Sequence, residues 1–334
     1  MPVDTFLKQM IYQISLRVVG ATEIVNDRAN LRKYMECYWD MEKNASFWNT
    51  QMKWLPFVSN EKRTQAGKML FTAFVTAVEM RKQENRREDD YVQTMLDGGA
   101  SSLDCARWTM NALFASIITT SGAFTYTLGL ASANPEIYKK LKAEIDSEVE
   151  RCAKEKKLPA NATILDKVSS LTVEDLEEGF GYSYWCMREA VRLNMGDFLL
   201  RKVKSKDGNG IEIEGERLRD GEFVAFPMAS SHRDESVFSN PTRYDPDRWV
   251  RGEGTKPGEF WGWGAGLHPC AGMKLAKNEV KLALTLIISL MDVEPINPKN
   301  GKVYTLDNFP YPDNYSNYRV PSGPLELKYT LRGR

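Results

Sequence analysis

The run Trp263-Gly264-Ala265-Gly266-Leu267-His268-Pro269-Cys270-Ala271-Gly272 presents a single thiol where a glycine-rich loop meets a helix. From Met273 to Met291 apolar residues recur at helical spacing (Leu275, Ala276, Val280, Leu282, Leu284, Ile287), which puts Cys270 near the helix start. There the helix dipole and the free amide hydrogens favour a thiolate. A phosphate cradle fails on spacing, because Gly262, Gly264, Gly266 and Gly272 follow no buried strand and no lysine completes a Walker pattern. A nucleophilic cysteine needs a base; His268, two residues away in a tight loop, is badly placed, and His232 is the other histidine.

Ligation of a haem iron is the third chemistry, and it comes with a resemblance. Aromatic-x-x-Gly-x-His-x-Cys-x-Gly, written here as Trp263, Gly266, His268, Cys270 and Gly272, is similar to the haem-binding loop of the haem-thiolate enzymes, the cytochrome P450 superfamily. Small residues, Gly264 among them, let the backbone approach a porphyrin and direct amide hydrogens at the sulfur, while His268 reaches towards a propionate. Upstream, Glu189-Ala190-Val191-Arg192 places a carboxylate and a guanidinium on one helical face and resembles the family's Glu-x-x-Arg motif. The segment Pro241–Trp249 resembles the one whose last arginine, Arg248, completes a buried Glu-Arg-Arg cluster. Desolvating such a trio is costly, so its use is to fix one geometry.

The resemblance extends to single residues elsewhere in the chain. Ala115–Thr120 takes the place of the oxygen-activating stretch, with Thr119 matching the threonine, or Thr120 if the frame shifts by one. Ile118 stands where the family has a carboxylate. Arg201 sits where the family places an arginine for a haem propionate. Ser231-His232-Arg233 and Arg87-Glu88-Asp89-Asp90 loosely resemble the sterol demethylase branch and its fungal relatives.

The elements that must hold these residues are mostly helical. Apolar periodicity predicts helices over Thr5–Val19, Asn30–Glu42, Lys62–Glu84, Leu103–Ser132 and after Asn134-Pro135. A polar loop is expected over Lys154–Ser170, then a helix with Phe180, Trp185, Ala190 and Leu193 as apolar positions. Phe198–Val203, Ile211–Ile213 and Glu222–Phe226 read as strands of one small sheet, with Asp207-Gly208-Asn209-Gly210 as a turn. Thr109–Asn134 carries no charge, but twelve of its residues are Ser, Thr, Asn or Gly, which favours a buried core helix over a membrane span.

Composition narrows the partners. Lys+Arg and Asp+Glu both number 45, so there is no net field to draw a polyanion, and nucleic acid is not an expected partner. The five cysteines are scattered and lack a Cys-x-x-Cys, which argues against a disulfide framework or a zinc site and for a reducing compartment. With two histidines, sites built from several imidazoles are excluded.

The expectation is a mainly α fold with a small β region, a single P450-like domain over residues 1–334. Residues 1–195 form its helix-rich part and 196–334 the small sheet, the haem-cysteine loop and the proximal helix. The resemblance also implies a further N-terminal portion, so the chain is expected to be N-terminally truncated. The implied cofactor is haem b, with Cys270 as axial ligand. The implied activity is monooxygenation, inserting one atom of dioxygen into an apolar small molecule such as a sterol, terpenoid or other secondary metabolite. No flavin- or nicotinamide-binding segment is present, so electrons are expected from a separate NADPH-dependent reductase. The missing acid at Ile118 motivates an alternative, a haem-thiolate isomerase or dehydratase working without oxygen; a non-catalytic fragment is another. The expected location is the cytoplasmic side of the endoplasmic reticulum for a full-length protein, and the cytoplasm for the chain as given.

Overall fold

The computed structural model describes residues 3–20, 22–45, 58–194, 198–311 and 325–333. They form two compact units, Thr5–Ser121 and Gly122–Arg334 with Met1–Asp4.

The first unit holds helices α1 (Val3–Val19), α2 (Thr22–Asn26), α3 (Arg28–Lys43), α4 (Val58–Gln83), α5 (Tyr91–Asp97) and the start of α6 (Ser102–Ser132). Asp27 starts α3 by accepting the amides of Ala29 and Asn30 at 2.8 and 3.2 Å. Its core gathers Ile11, Tyr12, Leu16, Leu31, Tyr38, Leu70, Phe74 and Leu113, all buried. The Arg87–Asp90 stretch has a structural use: Asp90 caps α5 and grips Arg81 with both oxygens, at 2.7 and 2.6 Å. Glu23 takes the other edge of the same guanidinium at 2.8 and 2.9 Å. Arg81 is 1% exposed, so its charge is matched by acids from two other elements. All but the last two residues of the uncharged stretch lie in α6, whose most apolar window is 61% buried, although the helix is long and apolar enough to cross a membrane.

In the second unit, α7 (Pro135–Glu155) begins at Asn134, which accepts the amides of Glu136 and Ile137 at 3.0 and 3.2 Å. Its buried stripe is Ile137, Leu141, Ile145, Val149 and Cys152. Glu144 reaches out of α7 to accept the Ser183 amide at 2.7 Å and hydroxyl at 2.8 Å, capping α10 (Gly181–Asn194) from a neighbouring helix. Two short helices precede it, α8 (Ile164–Ser169) and α9 (Val173–Glu178), each opened by a reciprocal Thr–Asp capping box, Thr163 with Asp166 and Thr172 with Asp175. The expected polar loop over Lys154–Ser170 is therefore corrected: its last third is helical, because the box satisfies the first-turn donors of a segment too short to show periodicity. Phe180 is likewise outside the helix, in a left-handed conformation at φ 59°, buried between α9 and α10.

The single small sheet is also corrected. Strand β1 (Phe198–Lys202) pairs antiparallel with β4 (Phe223–Pro227), whereas β2 (Ile211–Ile213) pairs with β3 (Glu216–Leu218) as a separate hairpin. Glu214 and Gly215 close that hairpin, both at positive φ (55° and 84°), as a two-residue turn demands. Short helices α11 (Met228–Ser231) and α12 (Asp247–Val250) follow. Helix α13 (Met273–Leu290) packs on α7 and α10 and runs into β5 (Met291–Ile296), which pairs with β6 (Glu326–Leu331).

Candidate functional site

Helix α10 supplies the anchor. Glu189 and Arg192 are one turn apart on its buried face, both 0% exposed, and Arg192 grips the carboxylate from Nε (2.9 Å) and Nη2 (2.7 Å). Arg248, also 0% exposed and carried by α12, donates from Nε to Glu189 Oε1 at 2.9 Å. The Asp245 amide adds a third bond to that oxygen at 3.2 Å. The remaining guanidinium hydrogens hold irregular backbone: Arg192 binds the carbonyls of Pro241, at 2.6 Å, and His232, and Arg248 those of Ser239, at 2.9 Å, and Arg243, at 3.2 Å. The charged cluster thus pins the otherwise unstructured segment Ser239–Arg243 to α10.

Two residues that the sequence reading left out complete this cluster. Glu253 accepts from Arg248 at 2.6 Å, which makes two acids for two arginines. Burial would raise its carboxyl pKa, but the Ser239 amide and Arg251 outweigh that and hold it below the usual carboxylate range. Phe238 is fully buried with the Arg192 guanidinium 4.9 Å from its ring centroid. Neither had a periodic signal, since both lie in loops; Phe238 meets Arg192 from distant sequence, and Glu253 meets Arg248 only because the chain turns back on itself over five residues.

The cysteine loop hangs from the same scaffold. The Trp261 amide donates to Nε2 of buried His232 at 2.9 Å, the Gly264 amide to Trp261 O at 2.8 Å, and the Cys270 amide to Trp263 O at 2.7 Å. The Cys270 amide is therefore spent on closing the loop, not aimed at the sulfur. Gly264 and Gly266 adopt φ 69° and 79°, turning the chain back on itself. Cys270 is exposed at the loop end, whereas Cys37, Cys105, Cys152 and Cys186 are buried. Burial raises the Cys186 thiol far from any useful anion. His268 and Gly272 are exposed beside it, Trp263 is half-buried, and Gly272 begins α13.

The loop fits a haem-thiolate ligand set on its own geometry. Its thiol is outward and accessible, and a Cβ added at Gly266 or Gly272 would meet no atom within 4 Å, leaving space for a flat group to approach the backbone. No group of three or more metal-ligating side chains occurs among the described residues. Arg201 is exposed on β1, donates to the Leu200 carbonyl at 2.9 Å and has no carboxylate partner among the described residues, so its charge is available.

Thr119 and Thr120 belong to the first unit. The Thr119 hydroxyl donates to Ala115 O at 2.7 Å, and Thr120 is 2% exposed. Ile118 beside them is half-buried, and no acidic side chain occurs between Arg107 and Lys139 except Glu136.

Comparison with known proteins gives the context. The chain is 24% identical over 291 residues to the cytochrome P450 monooxygenase AacuE of Aspergillus aculeatus, covering 85% of this chain and 57% of that protein. It is 24% identical over 254 residues to the cyclooctat-9-en-7-ol 5-monooxygenase of Streptomyces melanosporofaciens, covering 73% and 51%. It thus spans somewhat over half the length of these curated relatives. Its fold matches the haem domain of cytochrome P450DA with a TM-score of 0.71 and 18% identity, over 100% of this chain and 68% of that one. With the cytochrome P450 family model matching residues 3–308, the chain belongs to the cytochrome P450 family.

Proposed function

We propose that this chain carries the haem-binding part of a monooxygenase that inserts one oxygen atom from dioxygen into an apolar small molecule, with Cys270 as the axial thiolate ligand of haem b. The observation that carries this reading is the exposed Cys270 thiol at the end of a loop tied, through Trp261 and His232, to the buried Glu189–Arg192–Arg248 cluster. When bound, the haem supplies dioxygen activation, and thiolate ligation raises electron density at the iron. The residues of the chain hold and orient: Cys270 provides the anionic sulfur, Gly264, Gly266 and Gly272 keep the loop thin, and Trp263 backs it. Arg201 offers a positive charge, and His268 a ring hydrogen-bond donor, to the propionates. Thr119, or Thr120, holds a proton-bearing hydroxyl for the oxygen chemistry.

A relative named for oxidising cyclooctat-9-en-7-ol, a hydrophobic alcohol by its name, supports an apolar terpenoid-like or other secondary-metabolite substrate. Electrons come, in this reading, from a separate NADPH-dependent reductase. Ile118 favours one second reading, a rearrangement or dehydration that consumes no oxygen; stoichiometric oxygen uptake with product separates the two. The central test is the absorption spectrum of the reduced, carbon-monoxide-bound protein: the parent shows the red-shifted Soret band of a thiolate complex and Cys270→Ser loses it. Retention of that band in Cys270→Ser removes the reading.

A further inference from the structure

We propose that His232 is the positioning residue that carries the rigidity of the Glu189–Arg192 pair to the cysteine loop, by accepting the Trp261 amide on Nε2 while Arg192 holds its carbonyl. This assignment rests on the haem-thiolate reading for its purpose, and on the chain's own geometry for its parts.

His232 ends α11 and is 0% exposed. Its backbone is fixed from two sides, by its own amide on Met228 O at 2.9 Å and by the Arg192 guanidinium on its carbonyl. Its ring lies nearly flat on Phe260, with centroids 5.1 Å apart and planes 16° apart. Phe260 is in turn gripped edge-on by Trp249 at 5.3 Å and covered by Arg188 at 4.6 Å. The imidazole therefore has little freedom to tilt, and its Nε2 meets the Trp261 amide at 2.9 Å. An N–H donor on that side requires a bare Nε2, so the proton sits on Nδ1.

From Trp261 the path to the sulfur is two backbone bonds long. The Trp261 carbonyl takes the Gly264 amide and the Trp263 carbonyl takes the Cys270 amide, at 2.8 and 2.7 Å. Between them Gly262 lies so close to Val191 of α10 that a Cβ would sit 2.5 Å from it, and 2.4 Å from Phe260, so the loop has no room to move towards α10 at this point. One buried acceptor thus sets where the loop leaves the core. Removing it leaves a half-buried backbone N–H without its acceptor.

The experiment compares His232→Phe, which keeps the flat ring but has no acceptor, with His232→Gln, whose amide oxygen reaches the position of Nε2. In the full chain, hydrogen exchange at the Trp261 amide should be about tenfold faster or more in His232→Phe and within about twofold of the parent in His232→Gln, as one hydrogen bond predicts. Exchange in α7 serves as the folding control. In the haem-loaded protein the fraction of carbon monoxide complex with a thiolate-type Soret band should fall in His232→Phe and be restored in His232→Gln. A Trp261 amide still protected in His232→Phe overturns the assignment, as does an unprotected amide beside an unchanged thiolate band. If His232→Phe loses α7 protection as well, His232→Gln decides: parental protection supports the assignment and lost protection overturns it. The exchange arm needs no haem, so a failure of Cys270 as ligand leaves it readable.

Discussion

Arg248 reaches Glu253 at 2.6 Å while its Nε holds Glu189 at 2.9 Å, so one fully buried guanidinium joins α10 to the loop before the cysteine segment. The two acids are not equivalent. Glu189 is 0% exposed, and Glu189→Gln leaves two arginines short of a counter-charge, a loss of roughly 3–5 kcal/mol. The Glu253 side chain is 17% exposed, and water can replace part of what Glu253→Gln removes, for about 1.5 kcal/mol. Urea unfolding of the two variants should show this order. Equal losses would mean that the cluster is not organised around Glu189.

Stability should rise with pH between about 3 and 6.5 because of His232. Burial, with Arg192 adding to it, pushes its pKa down to about 3 from the ordinary 6.5. The unfolded chain binds a proton in that window and the folded chain does not, so this contribution is full above the unfolded value and is lost as pH falls towards 3. One proton corresponds to a slope of about 1.4 kcal/mol per pH unit. His232→Gln has no such proton, and the difference between its unfolding free energy and that of the parent should shrink or reverse as pH drops from 7 to 4. Parallel pH profiles would show that His232 is not buried as a neutral ring.

Glycines in the cysteine loop separate packing from cofactor roles. Gly262→Ala drives a methyl into Phe260 and Val191, and should cost about 1–3 kcal/mol without any haem present. Gly272→Ala meets no atom within 4 Å and sits at φ −89°, an ordinary value, so the apoprotein should lose only what exchanging the residue that opens a helix costs, about 1 kcal/mol or less. If Gly272 keeps the backbone thin for a porphyrin, its variant weakens haem binding in a titration by more than that apoprotein loss explains. Unaltered haem affinity would remove that role.

Much of this was legible in the sequence, for identifiable reasons. The long helices announced themselves by apolar spacing, and the Cys270 loop, Glu189, Arg192 and Arg248 by residue type and order. What stayed hidden depended on contacts that only folding makes. Glu253 and Phe238 acquire meaning only when Arg248 and Arg192 fold over them, and the His232 ring only when Trp261 meets it, 29 residues on. The α8 and α9 helices were missed because four-residue capping boxes, not periodicity, start them. Strands β2 and β4 read as neighbours since nothing local says that Glu214-Gly215 turns β2 back onto β3 first.

Thr119 and Thr120 offer a functional test independent of the loop. Thr119 already donates to Ala115 O at 2.7 Å, so its hydroxyl oxygen retains lone pairs to accept from a neighbouring water. In a preparation that turns over, changing both threonines to alanine should raise the peroxide released per product formed, with substrate binding little changed. Coupling equal to the parent would exclude both hydroxyls from proton handling.

The β1–β4 ribbon should drive self-association of the chain. A two-stranded sheet is marginal alone, and its register puts Leu200 opposite Ala225 and Lys202 opposite Phe223, so Leu200 and Phe223 share one face. Leu200 is 57% exposed and Phe223 65% exposed in the described residues, on strands whose outer edges offer unpaired backbone groups. Such a face invites pairing with another chain. Leu200→Thr combined with Phe223→Thr keeps β propensity and lowers the apolar area, each side chain contributing at about 25 cal/mol per Å². The double variant of the 334-residue chain should therefore stay monomeric at concentrations where the parent scatters light, with an unchanged far-ultraviolet circular dichroism spectrum. Undiminished scattering would place the association surface elsewhere.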